Sequence, residues 1–209
     1  MSDDAQGPLL NAAAARRTAR NIGALVLASI FGKGLLFLWQ ILLANWLGPE
    51  QNGVYTTVVS LMAVGTSLAS FGMGIIAIRE VARNPARAGD YWAAMLTWQT
   101  FFALLAYLGA LALGWLGGYI PLILAYTAIA ALSLIIDIFG NISSDLLIAQ
   151  ERMIETSLVD ITHIVLRVGL AALALALGWG LLGVYFATIL AGLGRSIALS
   201  TLNARAGLR

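Results

Sequence analysis

The sequence predicts an all-α integral membrane protein, a bundle of six transmembrane helices. Three observations carry that expectation. Of the 209 residues, 60% are hydrophobic and only 11% are charged, and the mean hydropathy is +0.89; a soluble domain carries about 25% charged residues. Six apolar stretches each approach or exceed the roughly 20 helical residues needed to cross a bilayer core. The basic residues outside those stretches all fall on one side of the resulting topology.

Residues 1–20 are polar, then alanine-rich, then basic at Arg16, Arg17 and Arg20. A cleaved leader would place its charges near the start, ahead of a short apolar run and a small-residue cleavage site. Here the apolar run begins at Ile22 and continues to residue 47. It is read as an uncleaved first span, with 1–20 as a cytoplasmic N-terminal segment. The other spans fall at about 54–78, 92–116, 121–148, 157–178 and 181–202. Turn chemistry separates them: LGPEQNG, ARNPARAGD, GWLGGYIP, QERMIE and GWG, each with glycine, proline or clustered polar residues. The transmembrane lobe is thus 21–204, and 205–209 is a cytoplasmic tail.

Orientation follows from charge. With the N-terminus inside, the inner segments carry Arg16, Arg17, Arg20, Arg79, Arg83, Arg87, Arg152, Arg205 and Arg209, and the outer loops carry no Lys or Arg. That asymmetry places both termini in the cytoplasm; the expected location is the inner membrane of a prokaryote. Trp46, Tyr55, Trp115, Tyr119 and Trp179 fall at the outer interface, and Tyr91 and Trp92 at the inner one.

The three remaining basic residues, Lys33, Arg167 and Arg195, lie inside spans. The fourth and fifth spans carry most of the intramembrane polarity. Ser133, Asp137, Asn141 and Ser144 share one helical face, as do Asp160, His163 and Arg167. Folding these spans antiparallel about Arg152 brings Asp137 level with Arg167 and Asn141 with His163. A charge at mid-bilayer costs about 2.5–3.5 kcal/mol even on lenient scales, so these groups are expected to face a partner or a water-filled cavity. Asp145 and Asp160 fall about two turns from the inner surface, where water would reach them. Asp137 is then the one acid at the depth of three cations, and the central cavity carries a formal excess of two positive charges.

Such a cavity suits an anion. Arginine grips phosphate with a planar fork, and lysine supplies a point charge. Lys33, Arg167 and Arg195 are therefore the candidate substrate-binding residues, and Asp137 and His163 are candidates for ion coupling or a structural ion pair. No hydrolytic or redox motif, Walker loop or metal-ligand cluster appears, and no cysteine is present. No enzymatic activity, cofactor or metal is expected. With a net charge of only +2, nucleic acid is a poor partner. The NIS at 141–143 falls inside a span and is not read as a glycosylation site. Paired glycines at Gly32/Gly34, Gly72/Gly74 and Gly192/Gly194 support close helix packing and bending.

The first span and its outer turn, FGKGLLFLWQILLANWLGPEQNGVYTTVVSL, resemble the start of the polysaccharide exporters, the Wzx-type flippases of the MOP superfamily. So does the second span running into FGMGIIAIREVARNP. The LGPEQNGVY turn and the IREVAR helix end are the more specific parts. The later spans match in pattern, including the polar fourth span with its AQER exit, so the resemblance covers about residues 20–205. It implies one lobe of a fold whose two six-helix lobes are related by an axis along the membrane normal. It further implies flipping of undecaprenyl- or dolichyl-diphosphate oligosaccharides through a cationic cavity, to which Lys33, Arg167 and Arg195 would be this lobe's contribution. The chain ends after six spans, so its implied partner, besides the bilayer and the polyprenyl-diphosphate-linked oligosaccharide, is a missing second lobe or a homodimer mate. Two other functions stay open. One is a cation-coupled multidrug exporter of the same superfamily, which would favour acids over bases in its cavity. The other is a non-transporting assembly module or truncated gene product.

Overall fold

The computed structural model describes residues 6–70, 72–84 and 87–205, and every element among them is an α-helix. In chain order these are α1 (Gln6–Ser70), α2 (Met73–Arg83), α3 (Ala88–Leu116), α4 (Pro121–Ala149), α5 (Met153–Ala176) and α6 (Gly180–Arg205). Five of them contain a stretch long and apolar enough to cross a membrane: Ser29–Val64 within α1, and α3, α4, α5 and α6. Arg209 lies outside the described residues, as do the side chains of Arg16, Arg17 and Arg20.

The first two expected spans are joined without a loop. Gly48 adopts φ 73 and ψ 175, and the helix resumes at once with Pro49. Only glycine takes that conformation cheaply, and proline is preset for a first helical turn, where its missing N–H costs nothing. Straight, the 36 residues of Ser29–Val64 would reach about 54 Å at 1.5 Å per residue, against a bilayer core of about 30 Å. The bend instead returns the second arm alongside the first. Trp39 and Leu43 from the first arm and Tyr55 and Val58 from the second lie buried in one cluster with residues of α4, α5 and α6.

The second expected span, 54–78, is shorter than the sequence suggests. Its helix ends at Ser70, and Gly72, in the left-handed region at φ 71, turns the chain into the separate helix α2. The glycines of FGMG mark this break, but within an apolar run they read as packing residues. α2 is amphipathic. It buries Ala77 and Val81 while Arg79 and Arg83 are exposed, and Ile75 and Ile76 stay exposed beside them. A Cβ at Gly74 would collide with the Asp145 carboxylate of α4, so Asp145 sits against the first turn of α2, where the helix dipole favours negative charge.

α4 runs through the middle of the bundle. At one end Ile123 and Ala130 join the first-arm and second-arm cluster, with Tyr126 and Tyr185 5.5 Å apart and Tyr185 stacked on Tyr55 at 6.2 Å. At the other, Ile138, Ile142 and Leu146 pack with Ala77, Val81, Ala88 and Met95. This second end carries the arginines. There Arg152 bonds Glu155 at 2.6 and 2.9 Å and reaches the Leu202 carbonyl at 3.5 Å, tying the α4–α5 turn to the end of α6.

The simple hairpin of α4 on α5 is not what forms. α6 packs against both, and α4 and α5 touch little. Small residues allow it. A Cβ at Gly183 would stand 2.7 Å from Ala174 Cβ on α5, and one at Gly192 would stand 3.4 Å from Asp137 Oδ1 on α4. Close backbone approach of this kind is how membrane helices gain packing contacts.

Candidate functional site

Lys33, Asp137, His163, Arg167 and Arg195 all line one cavity of about 370 Å³, together with Asn141 and Asp160. The first arm of α1 supplies Lys33, α4 supplies Asp137 and Asn141, α5 supplies Asp160, His163 and Arg167, and α6 supplies Arg195. Gly32 brings the first arm close, since a Cβ there would meet Ile164 of α5 at 2.6 Å.

The ion pair at this depth differs from the expected one. Arg195 Nε donates to Asp160 Oδ1 at 2.7 Å, and Arg195 Nη1 donates to Asn141 Oδ1 at 3.0 Å. One guanidinium thus links α5 to α4 across α6. Asp137 and Arg167 face the same cavity but stand outside ion-pair distance of each other. Among the described residues, no carboxylate lies within ion-pair distance of Lys33 or Arg167. His163 has Nδ1 buried without a hydrogen-bond partner, and its ring faces the backbone of Ala191.

Asp160 is therefore a cavity residue and not simply a wetted one. Three cations and two carboxylates line the cavity, which lowers the formal excess to one positive charge. A depth count in the sequence shows that Asp160 and Arg195 lie at compatible heights, though not that they pair. Asp160 is eight residues in from Arg152, and Arg195 is ten residues in from Arg205. At 1.5 Å per residue those are depths of about 12 and 15 Å from the same surface. Asn141 carried a weaker signal, its place on the polar face of α4.

A second cavity, of about 270 Å³, shares Asp137 and Arg167 and extends between the second arm of α1 and helices α4–α6. Thr66, Ser133 and Thr188 give it polar walls, and Tyr185 lines it too. The Tyr185 hydroxyl is buried without a hydrogen-bond partner. Asp137 and Arg167 thus stand where two cavities adjoin, one bordered by each arm of α1.

Gly140 makes room for the Arg195 bridge. A Cβ there would stand 2.7 Å from Arg195 Nη1 and 2.9 Å from Ser196 Oγ, and Ser196 is itself bonded to the Ile136 carbonyl at 2.8 Å. Overpacking of this kind costs about 1–3 kcal/mol. Gly140→Ala is expected to push the guanidinium off Asn141 and to lower the melting temperature of the detergent-solubilised protein. An unchanged melt would show that the bridge does not need this close approach.

The family model described as "Polysaccharide biosynthesis protein" matches residues 18–206 of the chain. No curated protein and no solved structure matches it.

Proposed function

The chain belongs to the polysaccharide biosynthesis protein family, and from that premise we propose that it is one lobe of a flippase for lipid-diphosphate-linked oligosaccharides. The observation that carries this reading is the pair of cations, Lys33 and Arg167, that face a mid-helix cavity with no carboxylate of the described residues in ion-pair distance. A diphosphate would neutralise them, and Arg195 has N–H groups beyond the two it spends on Asp160 and Asn141. Five apolar helices fit a multi-pass membrane protein. The arginine-bearing end is assigned to the cytoplasm, with both termini there. The mechanism is alternating access, the head group crossing through the cavity while the tail stays in lipid. Asp137 and His163 would couple the cycle to an ion or tune the charge of the site. No bond is made or broken, so the role is transport and not enzymatic.

The cavity also supports a partner. Lys33 and Asn141 are exposed on this lobe, and a charge facing hydrocarbon at mid-bilayer costs about 2.5–3.5 kcal/mol. A second lobe, in the same polypeptide or in a second copy, would cover that side and enclose the site.

Lys33→Ala and Arg167→Ala test the reading in a complementation assay at matched expression. A hydrogen bond to a charged group contributes about 1.5–3 kcal/mol, so each change is expected to weaken substrate binding roughly ten- to hundred-fold. Full flipping activity in both variants would overturn the site assignment. Transport of a cationic dye into vesicles, with no lipid transfer, would favour a drug exporter instead.

A further inference from the structure

We infer that the end of the bundle opposite the arginines carries a separate carbohydrate-binding pocket, formed by Glu50, Gln51, Tyr126 and Trp179. These side chains come from three distant segments. Glu50 and Gln51 open the second arm of α1, Tyr126 lies in the first turns of α4, and Trp179 is the turn between α5 and α6. They line one cavity of about 320 Å³, at the lower end of the range for small-molecule sites, about 300–1,000 Å³. The pocket shares no lining residue with the charged cavity.

The backbone fixes the platform. Trp179 lies between Gly178 and Gly180, both in the left-handed region at φ 79 and φ 57. Its N–H bonds the Ala174 carbonyl at 2.9 Å, and its own carbonyl accepts from Gly183 at 3.3 Å. The main chain is therefore tied down while Trp179 remains 62% exposed. Tyr126 is braced from behind by Tyr185, 5.5 Å away. The bend at Gly48 sets Glu50 and Gln51 at the rim.

This set of groups matches a pyranose. An aromatic face is the negative side of a quadrupole and attracts the polarised C–H groups on one face of a sugar ring. Glu50 only accepts hydrogen bonds, whereas the Gln51 amide both donates and accepts, which is what a row of sugar hydroxyls requires. An ammonium ligand would use the carboxylate and the rings but gain nothing from the amide N–H groups. The inference deepens the transport reading and rests on it for its biological sense: the pocket would hold sugar units of the cargo at the outer mouth while the diphosphate occupies the charged cavity.

The test is saturation-transfer difference NMR on the whole chain in nanodiscs, with free glucose, galactose and N-acetylglucosamine as probes. Ring-proton signals are expected for at least one sugar, and they should fall roughly tenfold in Glu50→Gln, which loses the charge-assisted bond, and clearly in Trp179→Ala, which loses the stacking face. Trp179→Phe, which keeps a stacking ring, should retain part of the signal and guards against misfolding. No transfer from any of the three sugars would overturn the proposal, as would signals untouched by both variants. Displacement of the sugar by tetramethylammonium would overturn it too, marking an ammonium site. Lys33→Ala separates the two readings. It should lose flipping yet keep the sugar signal, and a sugar signal with no transport in the native chain would leave the pocket standing while the flippase reading fell.

Discussion

Arg195→Ala is expected to abolish flipping and to destabilise the lobe more than any other single change in the charged cavity. The Arg195 side chain is 12% exposed and its partner Asp160 37%. Breaking a fully buried pair by removing one member costs about 3–5 kcal/mol, because the other charge is left uncompensated. The partial exposure of Asp160 puts the effect here below that range. Two consequences should appear together: a lower melting temperature, and loosened packing of α4 against α6, since the bond to Asn141 disappears as well. The double variant Arg195→Ala/Asp160→Ala separates clamp from ligand. Removing both partners leaves no orphaned charge, so much of the lost stability should return. If Arg195 also grips substrate, flipping stays lost while the melt recovers. If activity returns with the melt, Arg195 serves only to hold α4 and α5 together, and the anion site is reduced to Lys33 and Arg167. Arg195→Lys keeps the charge but not the fork, and it cannot reach Asp160 and Asn141 in the same planar geometry; an intermediate melt is expected.

The depth of each charge was legible from the chain because helices have a fixed rise. Lys33, Asp137, His163, Arg167 and Arg195 fall at compatible heights by counting alone, and the structure collects them around one cavity. Which of them touch was not legible, because pairing depends on the order in which helices pack. Sequence neighbours α4 and α5 suggest a hairpin, yet the small side of α6 at Gly183, Ala187, Ala191 and Gly192 lets it pack against both. That changes the partner of Asp160 from water to Arg195. The break at Gly72 was hidden for a related reason. A glycine in an apolar run reads equally as close packing or as a left-handed turn, and only the backbone decides. The pocket around Trp179 was the least legible, since its residues come from three segments and each alone looks like an interface anchor.

Gly48→Ala is expected to be the most damaging small change in the first span, by a mechanism separate from the charged cavity. A Cβ at Gly48 would meet nothing within 4 Å, so crowding plays no part. The cost is in the backbone. With φ 73 and ψ 175, the residue lies in a region essentially restricted to glycine, and an L side chain there costs on the order of 1–3 kcal/mol. The helix can relieve that strain only by straightening, and a straight run over Ser29–Val64 of about 54 Å exceeds the bilayer core of about 30 Å. Straightening would also pull Tyr55 and Val58 away from Tyr185 and the cluster that holds both arms, and would remove Glu50 and Gln51 from the pocket at Trp179. Gly53→Ala is the control. It too would meet nothing within 4 Å, but Gly53 is helical, where alanine is favoured over glycine by about 1 kcal/mol. The two variants add the same methyl group five residues apart and should shift the melting temperature in opposite directions. Equal shifts would mean that the bend is set by the surrounding helices and not by the conformation available at Gly48.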